Sequence, residues 1–472
     1  MEKILIISLY VVITIIILYT IRHYLFAFNR LFSKPRQPYV DIGAADWPSV
    51  TIFVPCHNEQ AVIADMLENL LRVDYPRDKF LIVPINDRSK DNTQAILEDY
   101  AANYPDLIKP VHRKKGIAGK AAALREVSPL FDTEIHLVFD ADYLPGRGLI
   151  KQLVAPFFDP EVGAVMGRVV PHNVNHSLLT RLLDLERSGG YQVDQQARMN
   201  LNMVPQFGGT VGGVRASALK QIGGWRNDTL AEDTDITMKM ILNGWQVVYQ
   251  NRSECYEEVP ESWFARMRQI RRWATGHNQA LAKYFIPMVR QFGKFPFFTV
   301  IDGLMLLGVY LMSLLLVIGW GLSLTLFYMG ASIGTGILII LAVSTYNTFG
   351  NFATFFEVAS ATRLDRTESR ILLVPFLSLC FLVSLLTVAV ATIKQIITAP
   401  FDSTLKWQKT QRFRNGNGNG NGNGNGNGNG NGHSNGNGNG RLIEEPTRGY
   451  AYNFLYVNGR TVPEHIFNHD RL

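Results

Sequence analysis

An α/β domain set between apolar, membrane-type helices is the architecture this sequence predicts, and three observations predict it. Across residues 37–290, short β-type runs alternate with segments of helical apolar spacing. Uncharged stretches long enough to cross a bilayer lie before and after that region. Polar clusters fall where the β-type runs end. Ser49–Pro55 reads as a strand, Ala61–Arg72 as an amphipathic helix and Phe80–Ile85 as a second strand, followed by a helix over Thr93–Asn103. Leu107–His112, Lys120–Val127 and Ile135–Asp140 continue the alternation. Such a series predicts a parallel sheet with helices on both faces. Ligands in sheets of this kind bind beyond the carboxyl ends of the strands. His57-Asn58-Glu59, Asn86-Asp87-Arg88-Ser89 and Asp140-Ala141-Asp142 all fall at such ends.

Composition agrees with a membrane setting. The chain is 47% apolar and 18% charged, and its net charge of +6 is small for 472 residues. Lys and Arg flanking apolar runs account for that charge, and no basic helix or aromatic-basic repeat points to a nucleic-acid partner. Cys56, Cys255 and Cys380 are odd in number and far apart, which suits a reducing, cytosolic face better than a disulfide framework. Ile4 to Ile21 carries no charge, and at about 1.5 Å per residue it nearly spans a hydrocarbon core of about 30 Å. Arg22, Arg30, Lys34 and Arg36 follow it and place that end in the cytoplasm. Gly303 to Phe356 is long enough for two helices, with Gly330, Gly334 and Gly336 as the turn, and Ile371 to Ile393 is a third run. The positive clusters on both sides of this last run leave two topologies open: a re-entrant last segment, or three tight crossings between Pro296 and Ala361. The expected organisation is an anchor over residues 1–36, a cytosolic catalytic domain over 37–290 and membrane helices over 291–400. A basic juxtamembrane segment (401–414), an Asn-Gly linker (415–440) and a tail (441–472) follow. Localisation is expected to be multi-pass in the plasma (inner) membrane, in contact with its lipids.

The candidate chemistry sits on four motifs. Asp140 and Asp142 leave an apolar strand at i and i+2, and two carboxylates so placed can offer hard oxygen ligands to Mg²⁺ or Mn²⁺. A solvated turn would account for Asp-x-Asp alone. Asp87 also ends a strand, where its carboxylate can accept hydrogen bonds from a base or ribose; the same segment could be an ordinary helix-capping turn. Glu232-Asp233 precedes an apolar helix. The acids are either partners of the helix dipole, or Asp233 takes a proton from an attacking hydroxyl. Gln269-Ile270-Arg271-Arg272-Trp273 lies in a basic stretch. Arg272 could pair with a diphosphate and Trp273 stack on a sugar, or the stretch could rest on the membrane interface.

Asp87, Asp140-Ala141-Asp142, Glu232-Asp233 and Gln269–Trp273 occur in the order and spacing of inverting family 2 glycosyltransferases. The chain most resembles the membrane-integrated branch: cellulose, hyaluronan and poly-N-acetylglucosamine synthases and related glycolipid synthases. The resemblance covers residues 45–290 and the helices that follow. It implies a Rossmann-like GT-A nucleotide-sugar-binding domain. It further implies a UDP-sugar donor held at Asp87, Lys120, Asp140, Gln269 and Arg272, with metal at Asp142 and Asp140 and Asp233 as base. Trp273, Glu232 and the Phe207-Gly208-Gly209-Thr210 loop, through Gly209 and Thr210, belong on the acceptor side. Ala231 stands where many members have Thr, one N-terminal helix replaces two, and no segment resembles a cyclic-dinucleotide-binding domain.

Trp407-Gln408-Lys409-Thr410 resembles a short motif that follows the last helix in relatives. Residues 415–440 are twelve Asn-Gly pairs interrupted by His433-Ser434, a composition of flexible tethers. Tyr452–Val457 with Asn458-Gly459 predicts a small hairpin. Two functions fit: a processive β-glucan-like polysaccharide synthase, towards which the Gln-x-x-Arg-Trp motif leans, or a single-transfer enzyme glycosylating diacylglycerol or a similar lipid. The acceptor is accordingly a growing polysaccharide or a lipid. A non-enzymatic scaffold fits poorly, because every expected acid is present.

Overall fold

The computed structural model describes residues 2–36, 46–330, 352–398, 454–457 and 460–463. The chain divides into two units, Met1–Gly416 and Asn417–Leu472.

The first unit opens with α1 (Glu2–Phe32) and then builds β1 (Val50–Cys56), α2 (Ile63–Leu71), β2 (Phe80–Asp87), α3 (Thr93–Asn103), β3 (Val111–Arg113), α4 (Lys120–Val127) and β4 (Ile135–Val138). These elements match the alternation expected from sequence to within a few residues. β1 is buried on both faces. Val50, Ile52, Val54 and Cys56 pack into one core with Ile63, Met66, Leu67 and Leu70 of α2, while Phe53 points into a second core with Ala123, Leu124 and Val127 of α4. The period of two in the strand and the i, i+3, i+4, i+7 spacing in α2 produce this sandwich of helix, sheet and helix.

The rest of the sheet departs from the expected parallel arrangement. β5 (Leu144–Pro145), α5 (Leu149–Val154), β6 (Val162–Pro171), α6 (Leu178–Ser188), α7 (Gln196–Asn200), β7 (Gly212–Arg215), α8 (Ala216–Gln221), α9 (Glu232–Leu242) and β8 (Gln246–Glu257) complete an eight-stranded sheet. Its order is β3-β2-β1-β4-β7-β6-β8-β5. β3, β2, β1 and β4 are mutually parallel, but β7 is antiparallel to both β4 and β6, and β5 is antiparallel to β8. The sheet is therefore mixed. β7 fits between β4 and β6 because it carries Gly212 and Gly213, where an added Cβ would lie 2.4 Å from Val165 O and 2.4 Å from Leu137 Cδ2. The strand order reverses between β1 and β4, with β2 on one side and β7 on the other. The crevice at this switch point is where the rim clusters converge.

Between α6 and α7, Gly189–Gln195 is π-helical, a distortion that recurs at functional sites. α6 starts at a capping box, Ser177 Oγ accepting from the Thr180 amide while Thr180 Oγ1 accepts from the Ser177 amide. α10 (Trp263–Val289) is capped by Ser262 and is followed by α11 (Phe297–Gly308) and α12 (Leu311–Tyr328). Residues 352–364 form α13, a 3-10 segment covers Glu368–Phe376, and α14 is Leu377–Thr398. Among the described residues, Glu2–Phe32, Leu311–Tyr328 and Glu368–Thr398 are long and apolar enough to cross a membrane. α12 ends at Tyr328, with Met329 as its cap and Gly330 at φ +68°, a left-handed stop that glycine adopts without strain. Gly334 and Gly336 lie outside the described residues. Phe264 and Arg268 are exposed on α10 while Ile270, Ala274 and Ala280 are buried, so its outer face is basic and aromatic.

Buried charges join the apolar helices to the sheet domain. Arg168 pairs with Asp365 at 2.5 Å, Arg198 with Asp302 at 3.3 Å, and Arg30 donates to Gln192 O at 2.7 Å. In the second unit, Phe454–Val457 pairs antiparallel with Arg460–Pro463, Val457 opposite Arg460, as the hairpin reading expects. The Trp407–Thr410 motif and the Asn-Gly tract lie outside the described residues.

Candidate active site

A cavity of about 850 Å³ opens over the switch point. Asp87, Lys120, Asp140, Asp142, Thr210, Glu232, Asp233, Gln269, Arg272 and Trp273 all line it, brought together from separate parts of the chain. Gly209 lies directly behind two of them.

At one end, Asp87 closes β2 and is 5% exposed. Its Oδ1 meets Arg88 Nε and Arg113 Nη1, each at 2.9 Å, and its Oδ2 accepts the Gly119 amide at 2.8 Å. The carboxylate thus holds the loop that leads into α4. Gly119 has φ +117° and presents Lys120 at the start of α4. Lys120 Nζ reaches Asp140 Oδ1 at 2.6 Å. The Asp140 amide donates to Thr210 Oγ1 at 3.0 Å, tying the rim after β4 to the Phe207–Thr210 loop. Asp142 is buried two residues on. Two carboxylates facing a polar cavity, one beside a lysine, form a donor set of hard oxygens that fits Mg²⁺ or Mn²⁺.

Glu232 and Asp233 occupy the first turn of α9, open to the cavity yet deep in the protein. Burial raises both carboxyl groups above the ordinary carboxylate range. For Asp233 the Thr234 amide, Lys120 and Arg272 pull the other way without cancelling the rise. Asp233 Oδ1 accepts the Thr234 amide at 2.6 Å, which fixes its rotamer. Gly209, at φ +76°, lies so close that an added Cβ would stand 3.2 Å from Asp233 Cβ and 3.6 Å from Glu232 Oε1. Behind the pair, His277 Nε2 lies 3.3 Å from Thr234 Oγ1, and burial lowers its pKa to about 4, so it is neutral at pH 7.

Along α10, Gln269 Oε1 accepts from Arg266 Nη1 at 2.9 Å. Arg272 forms no hydrogen bond or ion pair among the described residues, which leaves its guanidinium for an anion in the cavity. Trp273 is already engaged: Arg187 and Arg266 lie 5.1 and 5.3 Å from its ring centroid. Sequence reasoning missed the network behind it. Arg187 Nε donates to Glu257 Oε1 at 2.6 Å, and Tyr143, next to Asp142, donates to Glu257 Oε2 at 2.9 Å. The rim after β4 and the tryptophan are therefore linked through one buried carboxylate. Also missed were Arg22, Asp194 and Glu357, which line the far end of the cavity. The signals available were an arginine at the edge of an apolar helix and the Gly189-Gly190 pair inside a helical region.

Sheet order and switch-point crevice define a GT-A-like fold. The mannosyltransferase PcManGT from Pyrobaculum calidifontis, solved in complex with GDP-Man and Mn²⁺, superposes with a TM-score of 0.52 at 23% identity, over 77% of this chain and 98% of that one. The family described as "Glycosyltransferase like family 2" matches residues 48–276, and this segment is a family 2 glycosyltransferase domain. "Probable glycosyltransferase YdaM" of Bacillus subtilis is 31% identical over 266 residues, 56% of this chain and 62% of that protein. "Beta-monoglucosyldiacylglycerol synthase" of Nostoc sp. is 32% identical over 260 residues, 55% of each chain. The alignments thus span little more than half the length of these relatives.

Proposed function

We propose that the chain is a membrane-anchored inverting glycosyltransferase that moves a sugar from a UDP-sugar to a hydroxyl of a membrane lipid, forming a β-linkage. The observation that carries this reading is the position of Asp233: a partly buried carboxylate with raised basicity, in one cavity with the Lys120–Asp140 pair and with Arg272, which makes no hydrogen bond among the described residues. The acceptor oxygen attacks the anomeric carbon opposite the diphosphate. The new C–O bond forms as the bond to the phosphate oxygen breaks, and the diphosphate leaves with the electron pair. Asp233 takes the hydroxyl proton, and Arg272 and Lys120 face the charge on the leaving group. Asp142, with Asp140, would hold a divalent ion, whose chemistry when bound is to neutralise the diphosphate. Asp87 shapes the nucleotide end, and Gln269 and Trp273 lie between donor and acceptor.

The lipid acceptor is supported by the cavity's second end, where α1, α11, α13 and α14 supply the lining, and by a relative named for glucosyldiacylglycerol synthesis. The three membrane-length helices support an integral, multi-pass setting, and the arginines after Ile21 a cytosolic catalytic domain. A second reading, extension of a β-glucan-like polysaccharide, is favoured by Gln269, Arg272 and Trp273 standing together on the cavity wall. The test is purified full chain with a panel of radiolabelled nucleotide sugars and dioleoylglycerol, followed by solvent partition. Label in the organic phase supports the lipid reading, high-molecular-weight label in water supports the second, and no transfer from any donor refutes both.

A further inference from the structure

The end of the cavity away from the donor is polar where it meets α1 and apolar where it meets the later helices. Leu306, Val309, Val358 and Phe381 form the apolar wall. Arg22 and Asp194 form the polar one. Arg22 is 6% exposed, yet among the described residues its Nε and Nη1 have no hydrogen-bond partner. The nearest carboxylates, Asp194 and Asp302, stand 3.7 and 3.8 Å away, beyond hydrogen-bond reach. The rings of Tyr19 and Phe26, 5.6 and 5.2 Å from its guanidinium, hold the side chain in place. Asp194 Oδ1 is likewise buried without a hydrogen bond among the described residues. Donors and an acceptor left unsatisfied side by side are costly in a buried setting unless a ligand completes them.

We propose that Arg22 and Asp194 form an acceptor subsite for the uncharged, hydroxyl-bearing headgroup of a membrane lipid. This rests on the reading that the acceptor is a lipid. A hydroxyl both donates and accepts, so a glycerol-type headgroup answers Asp194 Oδ1 and the free N–H groups of Arg22 together. A phosphate could only accept. It would also meet the carboxylates of Asp194 and Glu357 on the cavity wall, while Asp302 lies beside both Arg22 and Arg198 and offsets their charge. Glu357 is paired to His23 and Arg198 to Asp302, so neither is the open contact. The apolar wall receives the acyl chains; the subsite holds the lipid's hydroxyl on entry, and the same hydroxyl moves along the cavity to Asp233 for transfer.

The test uses the full chain in detergent micelles with a diazirine-bearing dioleoylglycerol. Crosslink yield is read against lipid concentration, so no donor sugar need be known. Labelling is expected to saturate, and Arg22→Met and Asp194→Asn should each raise the half-saturating concentration about tenfold or more, the scale of losing hydrogen bonds to a charged group. Arg22→Lys, which keeps the charge without the fork, should lose less. Unlabelled dioleoylglycerol should compete and dioleoyl phosphatidic acid should not. If Arg22→Met does not elute as the wild-type monodisperse species, Arg22→Lys and Asp194→Asn carry the comparison. Absence of saturable labelling, or unchanged half-saturation in the variants, overturns the subsite. Stronger competition by phosphatidic acid overturns the assignment to an uncharged headgroup. Lipid-phase product made with wild-type acceptor KM by both variants sinks the subsite alone, whereas a wild type that makes only water-phase product sinks the lipid reading and the subsite with it.

Discussion

Gly209→Ala probes how closely the acceptor-side loop is fitted to the proposed base. Gly209 adopts φ +76°, and an added Cβ would stand 3.2 Å from Asp233 Cβ and 3.6 Å from Glu232 Oε1. Placing an L-residue in left-handed backbone costs roughly 1–2 kcal/mol, or about 2–8 °C in unfolding temperature for a domain of this size. The 3.2 Å contact is a few tenths of an ångström too short, and the atom that must yield is the stem of Asp233. A misplacement of about 1 Å at a reacting group can cost about 10²-fold, so a shift of a few tenths should lower kcat on the order of three- to tenfold. An added Cβ at Gly209 meets neither Asp87 nor Lys120, the proposed donor contacts, and donor KM should stay within about twofold of wild type. Steady-state kinetics and thermal unfolding on the same preparation give both readouts. Wild-type kcat with wild-type stability would refute the close approach, and a loss confined to donor KM would place Gly209 on the wrong side of the site.

Asp142→Asn should abolish transfer with little change in folding, and EDTA should do the same to the wild type, reversed by Mn²⁺ or Mg²⁺; full activity in excess EDTA would remove the metal from the account. Asp233→Asn should lower transfer by about 10²-fold or more while nucleotide-sugar affinity by calorimetry holds; a parallel fall in both would make Asp233 a donor ligand. The same residue sets a pH signature. Its folded-state pKa is raised by burial, so the base is lost as pH falls through a value above the ordinary carboxylate range, and the acidic limb of kcat/KM should lie there. By linkage, a raised folded pKa favours the fold below the unfolded pKa and loses that contribution as pH rises through the folded one. Asp233→Asn should therefore unfold at the wild-type temperature or above it at pH 7–8; a marked drop would contradict the assigned shift. Deleting Asn415–Leu472 should spare transfer, because a tether of Asn-Gly pairs cannot hold a site within catalytic tolerance; loss of turnover in a folded truncated chain would show that the tail acts at the site.

Half of the fold is legible in the sequence because β1 to β4 obey local rules. β1, β2 and β4 are largely apolar runs, the helices between them bury one face, and polar residues follow the carboxyl ends. Those local rules alone bring Asp87, Asp140 and Asp142 to one edge of the sheet. β7 is not legible, since Gly212 and Gly213 carry no strand propensity; they are there because Val165 and Leu137 press against them from neighbouring strands. The mixed sheet follows from that pairing. Arg187 gives no sequence signal because its partner Glu257 is 70 residues away, and the pair has meaning only beside Trp273. The sequence reading of Trp273 as a sugar-stacking ring gives no hint that Arg187 and Arg266 also stand against it. Arg22 reads as a flanking positive charge that fixes topology, whereas in the fold it turns inward, packs between Tyr19 and Phe26 and faces the cavity.

The proposed mechanism is direct displacement at the anomeric carbon by a membrane-held hydroxyl, with Asp233 as the base. Its most direct test is the anomeric configuration of the product formed from an α-linked UDP-sugar, read from the H1–H2 coupling by NMR after extraction into organic solvent. The account predicts a β-linked lipid glycoside, made by the wild type and lost in Asp233→Asn. An α-linked product would contradict the mechanism, because a single back-side displacement inverts the anomeric carbon.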